Sequence, residues 1–238
     1  MVQPTPRTIL VINPNSTKAM TDALKPIIEP LLPSGFRADY YTGPEGRCPP
    51  SINDTMTTIE SWENCLPELI QMVDQADAFL VACYSDHPIV TDLREHTDKP
   101  VIGIMEASLY HALSMLKPGQ NFGIVTTGRY WVYALTEGVE RILGGKKHFS
   151  GVGYTGFHAD QLHDVSPDNL DMAMKGATKD VLEDKHCGVI CLGCAGMVGM
   201  RKSVLDAAEE EGRKIKVVDG VVAGVQVLVG LLEAERQV

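Results

Sequence analysis

The chain has 238 residues, 44% of them hydrophobic, which is enough apolar surface for one large or two small packed domains. Its formal net charge of -10 repels nucleic acid and anionic membrane, so neither is an expected partner, and a small neutral substrate suits that balance better than a polyanion. No apolar stretch approaches the length of a membrane span, and residues 1–7 lack the apolar core of a signal peptide, so a cytoplasmic protein is expected.

Residues 8–12 form an apolar run closed by Asn13-Pro14-Asn15-Ser16-Thr17, after which Met20, Leu24, Ile27 and Ile28 recur at helical spacing. The pattern predicts strand, turn and helix, with Asn15 or Ser16 as N-cap and exposed amides able to hold a developing negative charge. Residues 43–52 read as a loop rich in proline and glycine, and a helix is expected over 61–76, with Pro67 in its early turns or at a kink. Cys65 lies near the apolar stripe of that helix, where a small hydrophobe is its ordinary role. Residues 78–82 predict a strand that runs straight into Cys83-Tyr84-Ser85-Asp86. Another strand over 100–104 leads through Met105-Glu106-Ala107-Ser108 into a helix toward Leu116, and Lys117-Pro118-Gly119-Gln120 breaks the chain.

The second half repeats this grammar. Residues 122–125 predict a strand closed by Thr126-Thr127-Gly128, residues 166–184 a polar helix, and residues 188–192 a strand that passes through Gly193 to Cys194-Ala195-Gly196-Met197. A last strand over 216–218 is closed by Asp219-Gly220. Strands alternating with helices imply parallel sheets, and the repeat implies duplication. The expected architecture is α/β: two pseudo-symmetric lobes, each a parallel sheet flanked by helices, with the active site in the cleft between them. The first lobe spans residues 1–116 and the second 117–220, with a C-terminal helix over about 221–238 packing back on the first.

Each half thus places one cysteine at the carboxyl end of a buried strand, where open α/β sheets build their sites. The six cysteines are too few for a disulfide scaffold and read as thiols, with Cys48, Cys65, Cys187 and Cys191 expected in the core. Two facing thiols suit proton removal from one face of a carbon and proton return on the other. Backbone amides after Pro14, after Cys83, at Thr126-Thr127-Gly128 and after Cys194 are the expected oxyanion donors, with Gly193 and Gly196 allowing close backbone approach. The turns carry mainly hydroxyls, amides and glycines; Lys18 and Arg129 are the nearest basic residues, so a neutral ring fits better than a dicarboxylate.

Asn13-Pro14-Asn15-Ser16-Thr17, Gly43-Pro44 followed by Ser51-Ile52, Ala82-Cys83, Pro100-Val101-Ile102-Gly103-Ile104 with Glu106-Ala107, and Leu192-Gly193-Cys194-Ala195-Gly196-Met197 together resemble the aspartate/glutamate racemase superfamily, above all its hydantoin racemase branch. The resemblance spans nearly the whole chain. It implies a two-lobed α/β protein in which Cys83 and Cys194 are the racemisation bases and no cofactor or metal takes part. It also implies a substrate pocket drawn from Asn13, Asn15, Ser16, Thr17, Ser51, Ile52, Tyr84, Ser85, His87, Glu106, Thr126, Thr127, Gly128, Gly193, Ala195 and Gly196. A homo-oligomer is expected.

Bacterial hydantoin racemases typically follow the first cysteine with an aromatic, a small residue and Asp-Pro-Gly; here the run is Cys83-Tyr84-Ser85-Asp86-His87-Pro88. That variant resembles a fungal subgroup linked by analogy to purine-ureide metabolism, which implies allantoin or a related small neutral cyclic ureide as substrate. Other superfamily activities, amino-acid racemisation or diacid isomerisation, are the alternatives on the same scaffold. From another class, Cys191-Leu192-Gly193-Cys194 has the spacing of a redox or metal-binding dithiol, although Cys191 falls inside a strand pattern and no second well-spaced pair accompanies it.

Overall fold

A computed structural model describes residues 5–162, 164–197 and 199–235. In the first half, β1 (Arg7–Asn13), α1 (Lys18–Ile28), β2 (Phe36–Thr42), α2 (Thr55–Gln71), β3 (Ala78–Val81), α3 (Pro88–His96), β4 (Val101–Gly103) and α4 (Ile104–Met115) follow one another. The second half continues with β5 (Asn121–Thr126), α5 (Tyr130–Leu143), β6 (Phe149–Tyr154), α6 (Pro167–Leu182), β7 (Cys187–Leu192), α7 (Arg201–Glu210), β8 (Lys216–Asp219) and α8 (Gly220–Glu235). Residues 236–238 of the expected C-terminal helix lie outside the described residues.

The strands make two four-stranded parallel sheets whose orders, β2-β1-β3-β4 and β6-β5-β7-β8, repeat each other. This is the expected α/β architecture, with one strand more per sheet than the apolar runs suggest. The added strands, β2 and β6, are edges. Arg37 and Asp39 lie along β2, and most residues of both strands are only partly buried, so neither presents the continuous apolar run of a central parallel strand. β3 and β7 are buried at every position.

By Cα proximity the chain divides into two compact units. The first holds the described residues up to Cys83, then His87–Ile104 and the residues from Val221 onward; the second holds Tyr84–Asp86 and Met105–Gly220. α4 therefore belongs to the second unit, whereas the sequence reading groups it with the first lobe, and α8 belongs to the first. Close packing accounts for both memberships. A β-carbon on Gly138 of α5 would lie 2.8 Å from Met105 Cε, and one on Gly224 of α8 would lie 2.4 Å from Leu80 Cδ1.

In the first unit, Leu10, Ile12, Phe79 and Val81 pack with Cys65 and Leu69 of α2 and with Ile89 and Leu93 of α3. In the second, Val125, Ile190 and Leu192 pack with Met174 and Val181 of α6 and with Val204 and Ala208 of α7. α2 starts at Thr55, six residues before the predicted start. Asp54 caps it, its Oδ1 accepting from Thr57 N at 2.8 Å, and Pro67 is accommodated inside the helix.

Candidate active site

In the first unit, β1 and β3 are the central strands, and their pairing extends one step past Val81, where Ala82 N–H donates to Ile12 O at 2.8 Å. The next residue is Cys83, where the fully buried run gives way to partial exposure. In the second unit β5 and β7 are central, and the pairing extends one step past Leu192, where Gly193 N–H donates to Val125 O at 2.7 Å. The next residue is Cys194, again partly exposed. Each cysteine thus occupies the same position in its own sheet, one residue beyond the last paired residue of a central strand.

The turn after β1 is organised by its own side chains. Asn13, 3% exposed, donates through Nδ2 to Asn15 Oδ1 at 2.9 Å and Thr21 Oγ1 at 3.0 Å. Asn15 Oδ1 also accepts from Thr17 N at 2.9 Å. Two donors on Oδ1 fix the orientation of the Asn15 carboxamide, and its Nδ2 meets the weakly accepting Met20 Sδ at 3.3 Å. Thr17, not Asn15 or Ser16, is the N-cap of α1, and its hydroxyl donates to Pro50 O at 2.7 Å. The 48–52 loop is thereby clipped to this turn, with Ser51 and Ile52 buried.

The amides expected as oxyanion donors here are already taken. Asn15 N–H points to Asn13 Oδ1 at 3.4 Å, Ser16 N–H to Pro49 O at 2.9 Å and Thr17 N–H to Asn15 Oδ1. After Cys194, Gly196 N–H lies 3.3 Å from Cys194 Sγ and Met197 N–H donates to Cys194 O at 3.1 Å, so these amides serve the cysteine itself. Thr126 is fully buried and spends its hydroxyl on Gly193 O at 2.7 Å, holding the cysteine turn against β5. Thr127 and Gly128 follow, both buried, while Ala195 and Gly196 are partly exposed beside Cys194.

Comparison with known proteins identifies the family. The Asp/Glu/hydantoin racemase family model matches residues 9–228. A Schizosaccharomyces pombe protein is 37% identical over 94% of this chain and 91% of its own length. The hydantoin racemase of Pseudomonas sp. (strain NS671) is 31% identical, with 92% of this chain and 83% of that protein covered. The crystal structure of allantoin racemase from Pseudomonas fluorescens shares the fold at a TM-score of 0.83 and 23% identity, with 96% and 92% of the two chains covered. The chain belongs to the Asp/Glu/hydantoin racemase family.

Against that family background the two cysteines stand apart from the other four, which are at most 5% exposed. Burial pushes the thiols of Cys48, Cys65 and Cys187 up and that of Cys191 up to about 12. Cys194 retains some exposed area but is closely walled by protein. Desolvation pushes its thiol up to about 11, partly offset by the amides of Gly196 and Met197. It is therefore a proton-bearing thiol at neutral pH. Cys191 does not form a dithiol with it in this arrangement: its Sγ is fully buried and points to Ser108 O at 3.7 Å. Among the described residues, no group of three or more His, Cys, Asp or Glu is arranged to hold a metal ion.

Tyr84 and Ser85 are buried, and Tyr84 OH bonds Ser108 Oγ at 2.7 Å. Asp86 pairs with Arg141 at 2.5 Å. Glu106 lies in the first turn of α4 and accepts from Tyr110 OH at 3.1 Å. His87 requires a correction, because substrate contact was expected of it. The residue is 0% exposed, it caps α3 with Nδ1 accepting from Ile89 N at 3.3 Å, and its Nε2 lies 3.4 Å from Ser61 Oγ. Ser61 was not singled out from the sequence. Its signal was a polar residue at the head of the buried stripe Ser61, Cys65 and Leu69 of α2, spaced four residues apart.

Burial holds His87 neutral, lowering its pKa from 6.5 to about 3. A base depressed on folding contributes stability that is full above its unfolded value and is lost as pH falls from 6.5 toward about 3. The unfolding free energy from urea titrations should therefore fall below pH 6.5 with an added slope of up to about 1.4 kcal/mol per pH unit. His87→Asn should remove that added slope. An identical acid slope in both proteins would contradict the buried neutral ring.

Proposed function

We propose that the protein is a cofactor-independent racemase of a 5-substituted hydantoin, with allantoin or a related ureide as substrate and Cys83 and Cys194 as its two acid–base groups. The observation that carries this reading is the equivalent placement of the two cysteines at the ends of β3 and β7. The hydantoin racemase relative supports the substrate class. So does the charge of the turns: residues 13–17, 83–87, 126–128 and 193–197 contain no lysine or arginine, and Lys18 is exposed and paired with Asp22 at 2.9 Å. A site for a dicarboxylic amino acid would need cations there.

The hydrogen at C5 of the ring is adjacent to a carbonyl, so its removal leaves an enolate. The thiolate of one cysteine takes that proton and becomes a thiol, while the thiol of the other delivers its proton to the opposite face and becomes a thiolate. The ring is inverted, and the pair has exchanged its proton. The raised value of Cys194 favours its proton-bearing form, so in the direction in which Cys83 takes the C5 proton, Cys194 already holds the proton it delivers to the opposite face. Asn15 Nδ2, whose partner in the turn is only a thioether, is the donor we assign to the developing oxyanion.

Enantiopure allantoin and 5-alkylhydantoins should lose optical rotation with the protein present while their mass is unchanged, at the same rate after treatment with a chelator. Rotation that persists with every hydantoin while aspartate or glutamate racemises would overturn the substrate class. Loss of activity on chelation with recovery on adding zinc would overturn the two-thiol chemistry.

A further inference from the structure

We propose that His87 is a positioning residue for this reaction, holding the Pro14–Asn15 peptide to the end of the cysteine turn through the hydroxyl of Ser61; the inference rests on the racemase reading. His87 is followed by Pro88, which confines it to extended backbone (φ -78°, ψ 131°), the conformation an N-cap needs. Because Nδ1 accepts from Ile89 N–H, the ring proton lies on Nε2, which faces Ser61 Oγ at 3.4 Å. Ser61 donates its own hydrogen to Pro14 O at 2.6 Å, so a lone pair of its oxygen is left to accept from the ring. The direction of the chain is thereby fixed: imidazole N–H to hydroxyl, hydroxyl to carbonyl.

The Pro14 carbonyl is held from other sides too. Cys65 Sγ lies 3.5 Å from it, and a β-carbon on Gly43 would come within 3.0 Å of both Pro14 O and Asn15 O. The peptide that leads into Asn15 therefore has little freedom, and the one ring that fixes it also fixes the start of α3, four residues after Cys83. All members of the chain are buried, with Ser61 and His87 both 0% exposed, so water does not replace a lost link. Donor and base are thus set relative to one another by a single imidazole in a single tautomer.

Two variants separate positioning from packing. His87→Asn keeps a good N-cap but cannot reach Ser61, and Ser61→Ala keeps the capping ring but removes the relay. Measured on a hydantoin in the full-length protein, with active sites counted by thiol alkylation, each should lower kcat per site about tenfold or more, with a smaller change in KM. The double variant should be no slower than the slower single one, since both break the same chain. Nitrogen-15 NMR of wild-type imidazole should report the Nε2–H form throughout neutral pH. Wild-type kcat per site in both variants, additive losses, or an Nδ1–H ring would overturn the positioning role; a purely structural role would lower the thermal midpoint alone. A wild-type protein inactive on every hydantoin would instead fail the racemase reading, a distinct result.

Discussion

Replacing Cys83 or Cys194 with serine should lower racemisation by about 10³-fold or more, because one positioned acid–base group contributes roughly 10²–10⁴-fold. Serine is nearly isosteric with cysteine, but its hydroxyl neither ionises nor accepts a proton usefully near neutrality. Both cysteines are partly exposed at strand ends, outside the fully buried runs that precede them, so the folded state should tolerate the change. Chiral chromatography of product mixtures gives the rate, and thermal unfolding gives the control. The same change at Cys48 or Cys187, buried at 5% and 1% exposure, should act on stability and leave the rate per folded protein unchanged. Racemisation near the wild-type rate in either Cys83→Ser or Cys194→Ser would overturn the assignment.

Gly193→Ala should be nearly as damaging, through geometry instead of chemistry. A β-carbon at this position would lie 2.7 Å from Ile124 Cγ2 and 2.8 Å from both Thr126 Cβ and Val125 O. The backbone oxygen and the two branched side chains cannot all withdraw, so β7 must move away from β5, taking with it the Thr126 hydroxyl bond to Gly193 O and the following Cys194. We expect a stability loss of about 1–3 kcal/mol from overpacking. A displacement of the thiol by about 1 Å should cost on the order of 10²-fold in kcat. Gly176→Ala is the matched control, since nothing lies within 4 Å of its β-carbon in the interior of α6; it should be neutral or stabilising by about 0.5–1 kcal/mol. Equal kcat for Gly193→Ala and wild type would contradict the close approach.

The central strands were legible because parallel strands covered on both faces read as unbroken apolar runs, as residues 78–82 and 188–192 do. β2 and β6 were missed for the opposite reason: an edge strand carries mixed side chains such as those of Phe36, Arg37 and Asp39 and has no period that distinguishes it from loop. The cysteine turns were legible through their sequence contrast with the strands they end. What the turns do with their polar groups was not. The Asn13 and Asn15 side chains, read as substrate contacts, largely organise their own turn, and its backbone amides, expected as oxyanion donors, are directed at Asn13, Asn15 and Pro49.

The same limit applies to charge states. A glycine-rich turn suggests a thiol lowered by amides, and Gly196 N–H does point at Cys194 Sγ, yet tertiary walls that no local pattern announces outweigh it. His87 followed by Pro88 reads as a turn, but the fold buries it completely and pairs it with Ser61 of α2, 26 residues away.

The two-base account is tested most directly by solvent exchange in the single variants. In deuterated water, Cys83→Ser and Cys194→Ser should each wash the C5 hydrogen out of one hydantoin enantiomer without inverting it, because the remaining cysteine still reaches its own face of the ring; in Cys83→Ser the exchange should be slow at neutral pH and quicken as pH rises toward the raised value of Cys194. Deuterium incorporation followed by proton NMR on each enantiomer should show the two variants preferring opposite enantiomers. The same preference in both variants, or inversion at the wild-type rate in either, would contradict it.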